Sequence, residues 1–398
     1  MRLLTTSALL VGLMASQAWG AGDIKNARAA VSTVYKRLAS VAPTVTELEG
    51  WAQEYVAAEN AAAERAVLLK VADAAVLQDT FYSRAVLNFA DPETNENMEV
   101  ANQLTDMTAT IVGMVRDEVD YRQILYGDQL YIPDPTTFPP YSIADNETYT
   151  QLYNQVVSGQ AQLSQALQPV NQRDVITQLP VHAGIFTTRG YGSVFYNDGT
   201  NRSPLRFTMV HYACRDLEQL SDITRPDVYV RRDVERTPGG DGEKFRTECV
   251  GCHAGMDPMT KAFSYIDFDI DNATVIYSEG QAVPKVNRNP DTFPNGYAVR
   301  DDAWSNIWTE GSNANLGWNK EMLSGNGPKS WGESIATTTM FPECMAQRVY
   351  KTVCFKKSFN TRDRQNLRSL SKEFVDNGYN MKDLFKKAAV QCVDNLRI

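Results

Sequence analysis

The stretch EKFRTECVGCHAGMDP, residues 243–258, concentrates reactive side chains in a chain that is otherwise poor in them. It holds two of the six cysteines and one of only three histidines among 398 residues. Cys249 and Cys252 are separated by two residues, and His253 follows directly. The question that this sequence poses is which chemistry requires two thiols and an imidazole at this spacing.

Two cysteines separated by two residues and followed by histidine form the attachment pattern of c-type haem. Each thiol adds to one vinyl group of the haem to form a thioether, and the two-residue gap matches the separation of the vinyl groups. The adjacent histidine then lies beneath the ring and ligates the iron. We therefore predict that Cys249 and Cys252 bind haem c covalently and that His253 is the proximal iron ligand.

Three other interpretations of the same motif remain open at the level of sequence. A thioredoxin-like CxxC pair is expected within a βαβ pattern, which this sequence lacks. Half of a zinc site requires a second pair of ligands, and the other four cysteines are isolated in the chain, although folding could gather them. A simple disulfide between Cys249 and Cys252 is the third interpretation.

The first twenty residues favour haem, because haem c is attached outside the cytoplasm. Arg2 precedes the apolar run LLTTSALLVGLMA (3–15), and Ala18-Trp19-Gly20 has the small residues of a cleavage site. This pattern predicts a signal peptide over residues 1–20 and a periplasmic or secreted protein. No later segment is long and apolar enough to span a bilayer. The net charge of −9 and the pI of about 5.1 argue against a nucleic-acid partner.

The remaining sequence predicts a mostly α-helical protein in three regions. Residues 21–140 are expected to be helical, with Thr44 and Glu47 forming a capping box; no motif assigns a role to residues 21–100. The proline-rich stretch YGDQLYIPDPTTFPPY (126–141) marks the first boundary. Residues 141–335 are expected to form a haem c domain with long loops, after one helix near 147–168. Residues 336–398 predict three helices, with Asn380 as an N-cap and Asn377-Gly378 as a stop signal.

The other four cysteines predict two disulfides in an oxidising compartment. Cys344 and Cys354 lie on one predicted helix about 15 Å apart, which is too far for a bond. An up-down-up arrangement of the last three helices brings Cys354 and Cys392 to the same end, which leaves Cys214 to pair with Cys344. The alternative is four buried free thiols.

Several stretches resemble the planctomycete-type secreted cytochrome c family, of which this chain looks like a divergent member. The similar stretches in the haem region are HAGIFTT (182–188), NRSPLRF (201–207), CVGCHAGMDP (249–258) and AFSYIDFD (262–269). FPECMAQRVYKTVC (341–354) and LSKEFVDNGYNMKDLFKKAA (370–389) resemble the family's closing helical module, and residues 105–160 resemble more faintly the module before the haem domain. The resemblance implies covalent haem, export and electron transfer, and it supplies no substrate.

Two functions from different classes follow from a single haem. The first is an electron carrier that docks to a redox partner protein. The second is a haem-dependent oxidoreductase or peroxidase-like enzyme, which needs an open iron position and a distal acid–base group such as His182 or His211.

The second iron ligand is expected to be distant in sequence from His253. We predict Met340, placed in a loop that leads into the C-terminal helices. The alternatives are His211, Met256, Met259 and an open position.

Overall fold

The computed structural model describes residues 23–100 and 104–393. The chain is mostly helical, which confirms the predicted fold class, and its described strands form two-stranded antiparallel sheets. The predicted signal peptide, residues 1–20, lies outside the described residues. In the described part of the chain, no helix has both the length and the apolar character needed to cross a membrane.

The N-terminal region is helical, as predicted. Its helices are α1 (Ile24–Ala39), α2 (Val45–Val56), α3 (Ala61–Ala75), α4 (Leu87–Ala90) and α5 (Asp106–Arg116), with a π-helical turn at Phe81–Val86 before α4. The capping box at the start of α2 is present, with the Thr44 hydroxyl accepting from the amide of Glu47. Asn60 caps α3, since its side-chain oxygen accepts from the backbone N–H of Ala63. This bond satisfies an N–H of the first turn that has no partner within the helix.

The middle of the chain consists of short helices, loops and three pairs of antiparallel strands. Its helices are α6 (Glu147–Val157), α7 (Leu163–Ala166), α8 (Gln172–Val175), α9 (Arg189–Phe195), α10 (Ser203–Tyr212), α11 (Gly242–Lys244), α12 (Val250–Thr260) and α13 (Gly327–Ala336). The antiparallel pairs are β1 (Gln129–Pro133) with β2 (Leu167–Asn171), β3 (Ile266–Asp269) with β4 (Thr274–Tyr277), and β5 (Ala303–Ser305) with β6 (Ser324–Asn326).

The single helix predicted near residues 147–168 is shorter than expected. α6 ends at Val157, and Gly159 follows with a φ of +74°, a backbone conformation that favours glycine. The chain then makes the single turn of α7 and enters β2, whose Asn171 pairs with Gln129 of β1. The proline-rich boundary stretch therefore contains a strand that is completed by residues about forty positions later.

The last region contains the three predicted helices, α14 (Met340–Cys354), α15 (Thr361–Asp376) and α16 (Met381–Cys392). Gly378 has a φ of +65° and follows the end of α15, and the Asn380 side chain accepts from the Asp383 amide at the start of α16. Met340, which the sequence places in the preceding loop, is the first residue of α14.

One hydrophobic core extends from α1 to α16. α16 packs on α1 and α3 as well as on α14 and α15, so the N-terminal helices contact the C-terminal module directly. The predicted boundaries at residues 140 and 335 therefore do not mark gaps in the core.

Both predicted disulfides are present. Cys214 is bonded to Cys344 with 5.2 Å between the Cα atoms, and Cys354 is bonded to Cys392 with 5.4 Å. The first bond ties the loop after α10 to α14, and the second joins the C-terminal ends of α14 and α16.

Candidate metal centre

Helix α12 presents the cysteine and histidine side chains of the motif on one face. Cys249 is its N-cap residue, and Cys252 and His253 follow three and four positions later, a spacing that places side chains on the same side of a helix. These three residues are partly exposed, whereas the other nine residues of α12 are buried. The open face of this helix is therefore composed of the motif alone.

Two glycines allow α12 to lie deep in the protein. A Cβ at Gly255 would be 2.1 Å from Nε1 of the fully buried Trp308, and a Cβ at Gly251 would be 2.2 Å from Oγ of Ser221. Real Cβ atoms do not approach other atoms this closely. The glycines thus bring the helix backbone against the Trp308 ring and the 221 loop, which leaves the motif face as the outward side.

Cys249 and Cys252 carry free thiols, while the other four cysteines are in disulfides. Those four are consequently not available as a second pair of zinc ligands, and no group of three His, Cys, Asp or Glu suited to a metal ion occurs within the described ranges. Burial raises the pKa of the Cys252 thiol.

The ring of His253 is oriented by a carboxylate one helical turn away. Its Nδ1 lies 3.3 Å from Oδ1 of Asp257, which is fully buried. Burial works against the charged carboxyl, but the Arg202 guanidinium and His253 outweigh it and hold the pKa of Asp257 far below its usual range. Because an ionised carboxylate only accepts hydrogen bonds, Nδ1 of His253 carries a proton, and in the neutral imidazole this arrangement leaves the lone pair on Nε2 for a metal.

An ionic cluster beneath the helix holds Asp257 in place. Arg202 donates from Nε and Nη2 to the two oxygens of Asp257 at 2.8 and 3.1 Å, and from Nη1 and Nη2 to Asp233 at 2.7 and 3.0 Å. The backbone amide of Arg231 donates to Asp257 Oδ2 at 3.0 Å. The carboxylate that meets His253 is thus fixed by groups from two distant loops.

The donor set fits haem c. Two free thiols and one imidazole with an available Nε2 share the open face of one helix, and the haem attachment chemistry requires these three groups. Cys249, Cys252 and His253 would hold the group, and Asp257 would fix the orientation of the imidazole.

The four candidate second ligands are all buried, whereas the motif lies on the open face of α12, and the second ligand stays a prediction. Met340 is 2% exposed within the core, and Met256 and Met259 lie on the buried side of α12. His211 is buried on α10 and stacked on Phe207; burial and the nearby Arg348 charge hold its pKa well below its ordinary value. His182 is a loop residue whose Nε2 lies 3.2 Å from the carbonyl oxygen of Ile176.

The stretches 182–188, 201–207, 249–258 and 262–269 are linked by contacts near α12. Arg202 of the 201–207 stretch binds Asp257 of the motif. Asn201 donates to the carbonyl oxygens of Phe263 and Ile266, each at 2.8 Å, and so joins the 262–269 stretch. Phe186 of the 182–188 stretch packs edge-on against Phe263, with 5.4 Å between ring centroids.

The CxxCH motif did not reveal two residues of the site, Asp257 and Arg202. The signal for Asp257 was its position four residues after His253, which in a helix places the two side chains together. Arg202 had no such signal, because its contact with Asp257 spans 55 residues.

This chain was compared with protein-family models, with curated proteins and with solved structures, and none of the three comparisons gave a match.

Proposed function

We propose that this protein is an exported, single-haem c-type cytochrome that transfers electrons to a redox partner protein. Haem is attached through Cys249 and Cys252, and its iron is ligated by His253. The observation that carries the proposal is the composition of the open face of α12. It consists of two unbonded thiols and a histidine, on a helix whose other residues are buried.

The attached haem supplies a one-electron couple between ferric and ferrous iron. The chain supplies the tether, the proximal nitrogen and the orientation of that nitrogen. The partly exposed position of Cys249, Cys252 and His253 supports a carrier, because electron transfer to a docked protein needs the redox group near the surface.

Export is supported by the disulfides and by the N-terminal sequence. Cys214–Cys344 and Cys354–Cys392 are typical of proteins that fold in an oxidising compartment. The apolar run at residues 3–15 and the Ala18-Trp19-Gly20 site are the signal-peptide features that would direct the chain there.

The attachment is tested by expressing the full chain in a host with a cytochrome c maturation apparatus. We expect the wild-type band to stain for haem on a denaturing gel and the Cys249→Ala/Cys252→Ala variant to lose all covalent haem, since both thioethers are removed. Cys354→Ala/Cys392→Ala is the matched control, because it also removes two cysteines and should still stain. A Cys249→Ala/Cys252→Ala band that stains for haem would refute the proposal.

The identity of the second iron ligand distinguishes an electron carrier from a haem-dependent enzyme. If Met340 ligates the iron, the oxidised protein has a near-infrared sulfur-to-iron band that disappears in Met340→Ala. A low-spin spectrum typical of two imidazoles would instead favour His211. A high-spin ferric spectrum with rapid cyanide binding would show an open position and favour the haem-dependent oxidoreductase or peroxidase-like enzyme.

A further inference from the structure

The carboxylate that meets His253 has little freedom to move. Oδ1 of Asp257 accepts from His253 Nδ1 at 3.3 Å and from Arg202 Nε at 2.8 Å. Oδ2 accepts from Arg202 Nη2 at 3.1 Å and from the Arg231 amide at 3.0 Å. With both oxygens engaged and the side chain fully buried, the carboxylate cannot rotate away from the imidazole without breaking several charge-assisted bonds.

This carboxylate belongs to a buried cluster of charged side chains beneath α12. Arg202 is shared between Asp257 and Asp233, so its single positive charge faces two negative ones. The guanidinium of Arg231 is also buried and donates to the carbonyl oxygen of Thr200 at 2.6 Å and to the hydroxyl of Thr260. Burial lowers the pKa of Arg231 to about 10, which still leaves it protonated at neutral pH. The negative charges of Asp257 and Asp233 and the positive charges of Arg202 and Arg231 are therefore equal in number beneath α12.

We infer that Asp257 is a positioning residue that fixes His253 with its lone pair on Nε2 and makes that nitrogen a stronger electron donor to the iron. This inference rests on the proposed haem attachment. A carboxylate draws the Nδ1 proton more strongly than a neutral acceptor does, and such outer partners raise the basicity of a ligating histidine. A more basic imidazole stabilises ferric over ferrous iron, so Asp257 lowers the reduction potential.

The chain provides a matched pair of variants. Asp257→Asn keeps the size of the side chain and removes the charge that faces His253. Asp233→Asn removes the same charge from the same arginine, at a residue whose carboxylate binds Arg202 and not His253. If the contact with His253 itself sets the reduction potential, the two variants have different reduction potentials. If the overall charge of the cluster sets it, the two reduction potentials are similar.

The experiment is potentiometric titration of the purified holoprotein, with haem content measured in parallel by the pyridine haemochrome spectrum. We expect all three proteins to contain covalent haem. In Asp257→Asn the ferrous form should gain about tenfold in relative stability, which is a rise of about 59 mV for a one-electron couple. Asp233→Asn should give a clearly smaller shift.

Two results overturn the inference while leaving haem attachment intact: an unchanged potential in Asp257→Asn, or an equal shift in Asp233→Asn. Absence of covalent haem from the wild type overturns the proposed function and the inference together.

A measurement on the wild type keeps the inference testable if Asp257→Asn does not fold. Photolysis of the carbon monoxide complex of the ferrous protein gives a five-coordinate iron whose iron–imidazole stretching band is visible by resonance Raman spectroscopy. A histidine bonded to a carboxylate should show a higher frequency than one bonded to a backbone carbonyl. A frequency in the range of carbonyl-bonded histidines would overturn the inference.

Discussion

Helices α12 and α16 both contain cysteine, and they use it in opposite ways. In α16 the buried face is apolar, with Leu384 and Phe385 in the core, and Cys392 is buried there in a disulfide. In α12 the buried face includes the ionised Asp257, and the free thiol of Cys252 lies on the open face. α16 follows the usual rule that apolar groups are buried and polar ones exposed. α12 departs from this rule at one buried charged residue, Asp257, and departures of this kind are expected at functional sites.

The two regions also differ in what holds them together. The C-terminal module is stabilised by apolar packing of α14, α15 and α16 and by a covalent bond. α12 also packs apolar residues, among them Met256 and Met259, into the core, and it is held in addition by close glycine contacts and by the ion pairs of Arg202. A buried ion pair contributes little net stability, although breaking it leaves an unpaired buried charge. We therefore expect substitutions in the C-terminal module to change mainly the free energy of unfolding, and substitutions in α12 to change the surroundings of His253 as well.

A large effect on stability is expected from the loss of the disulfide in the C-terminal module. Removing the bond between Cys354 and Cys392, which are 38 residues apart, should lower the free energy of unfolding by about 4 kcal/mol through the entropy of the unfolded chain. Urea denaturation of Cys354→Ala/Cys392→Ala against the wild type measures this. An unchanged urea midpoint would mean that the bond does not form in the protein.

A smaller effect is expected where α12 contacts Trp308. Gly255→Ala forces a Cβ into the position now occupied by the indole ring and should destabilise the protein by about 1–3 kcal/mol. Under the proposed haem attachment it should also change the surroundings of the haem, since the helix that carries His253 must shift. Thermal unfolding and the visible spectrum of the holoprotein report these two effects.

Gly50 provides the control for this substitution. It lies in α2, and a Cβ there meets nothing within 4 Å. Gly50→Ala should stabilise the protein by about 0.5–1 kcal/mol, because alanine restricts the unfolded chain and favours the helix. If both alanines had the same effect, the close approach of α12 to Trp308 would not exist in solution.

Local signals in the sequence predicted much of the helical structure. The Thr44 capping box, the Gly378 stop and the Asn380 cap all depend on groups within a few residues, so their effect can be read from the sequence alone. The pairing of β1 with β2 was not predicted, because it depends on contact between residues about forty positions apart. The helix predicted across residues 147–168 was too long, because α6 ends at Val157 just before Gly159, and only Leu167 and Gln168 of that range take part in the strand pairing.

By itself the sequence determined the mostly helical fold and the position of the CxxCH motif, because each depends on helix geometry or on neighbouring residues. It predicted the pairing of the four remaining cysteines only with an assumed arrangement of the last three helices, and it left open whether Cys249 and Cys252 are bonded to each other; the structure has the predicted pairs and two free thiols. Only the tertiary structure decided that the motif is the open face of a buried helix and that His253 meets a carboxylate held by Arg202. Burial and ion pairing of this kind arise when loops far apart in sequence are brought together by the core, and no local pattern specifies which residues will meet.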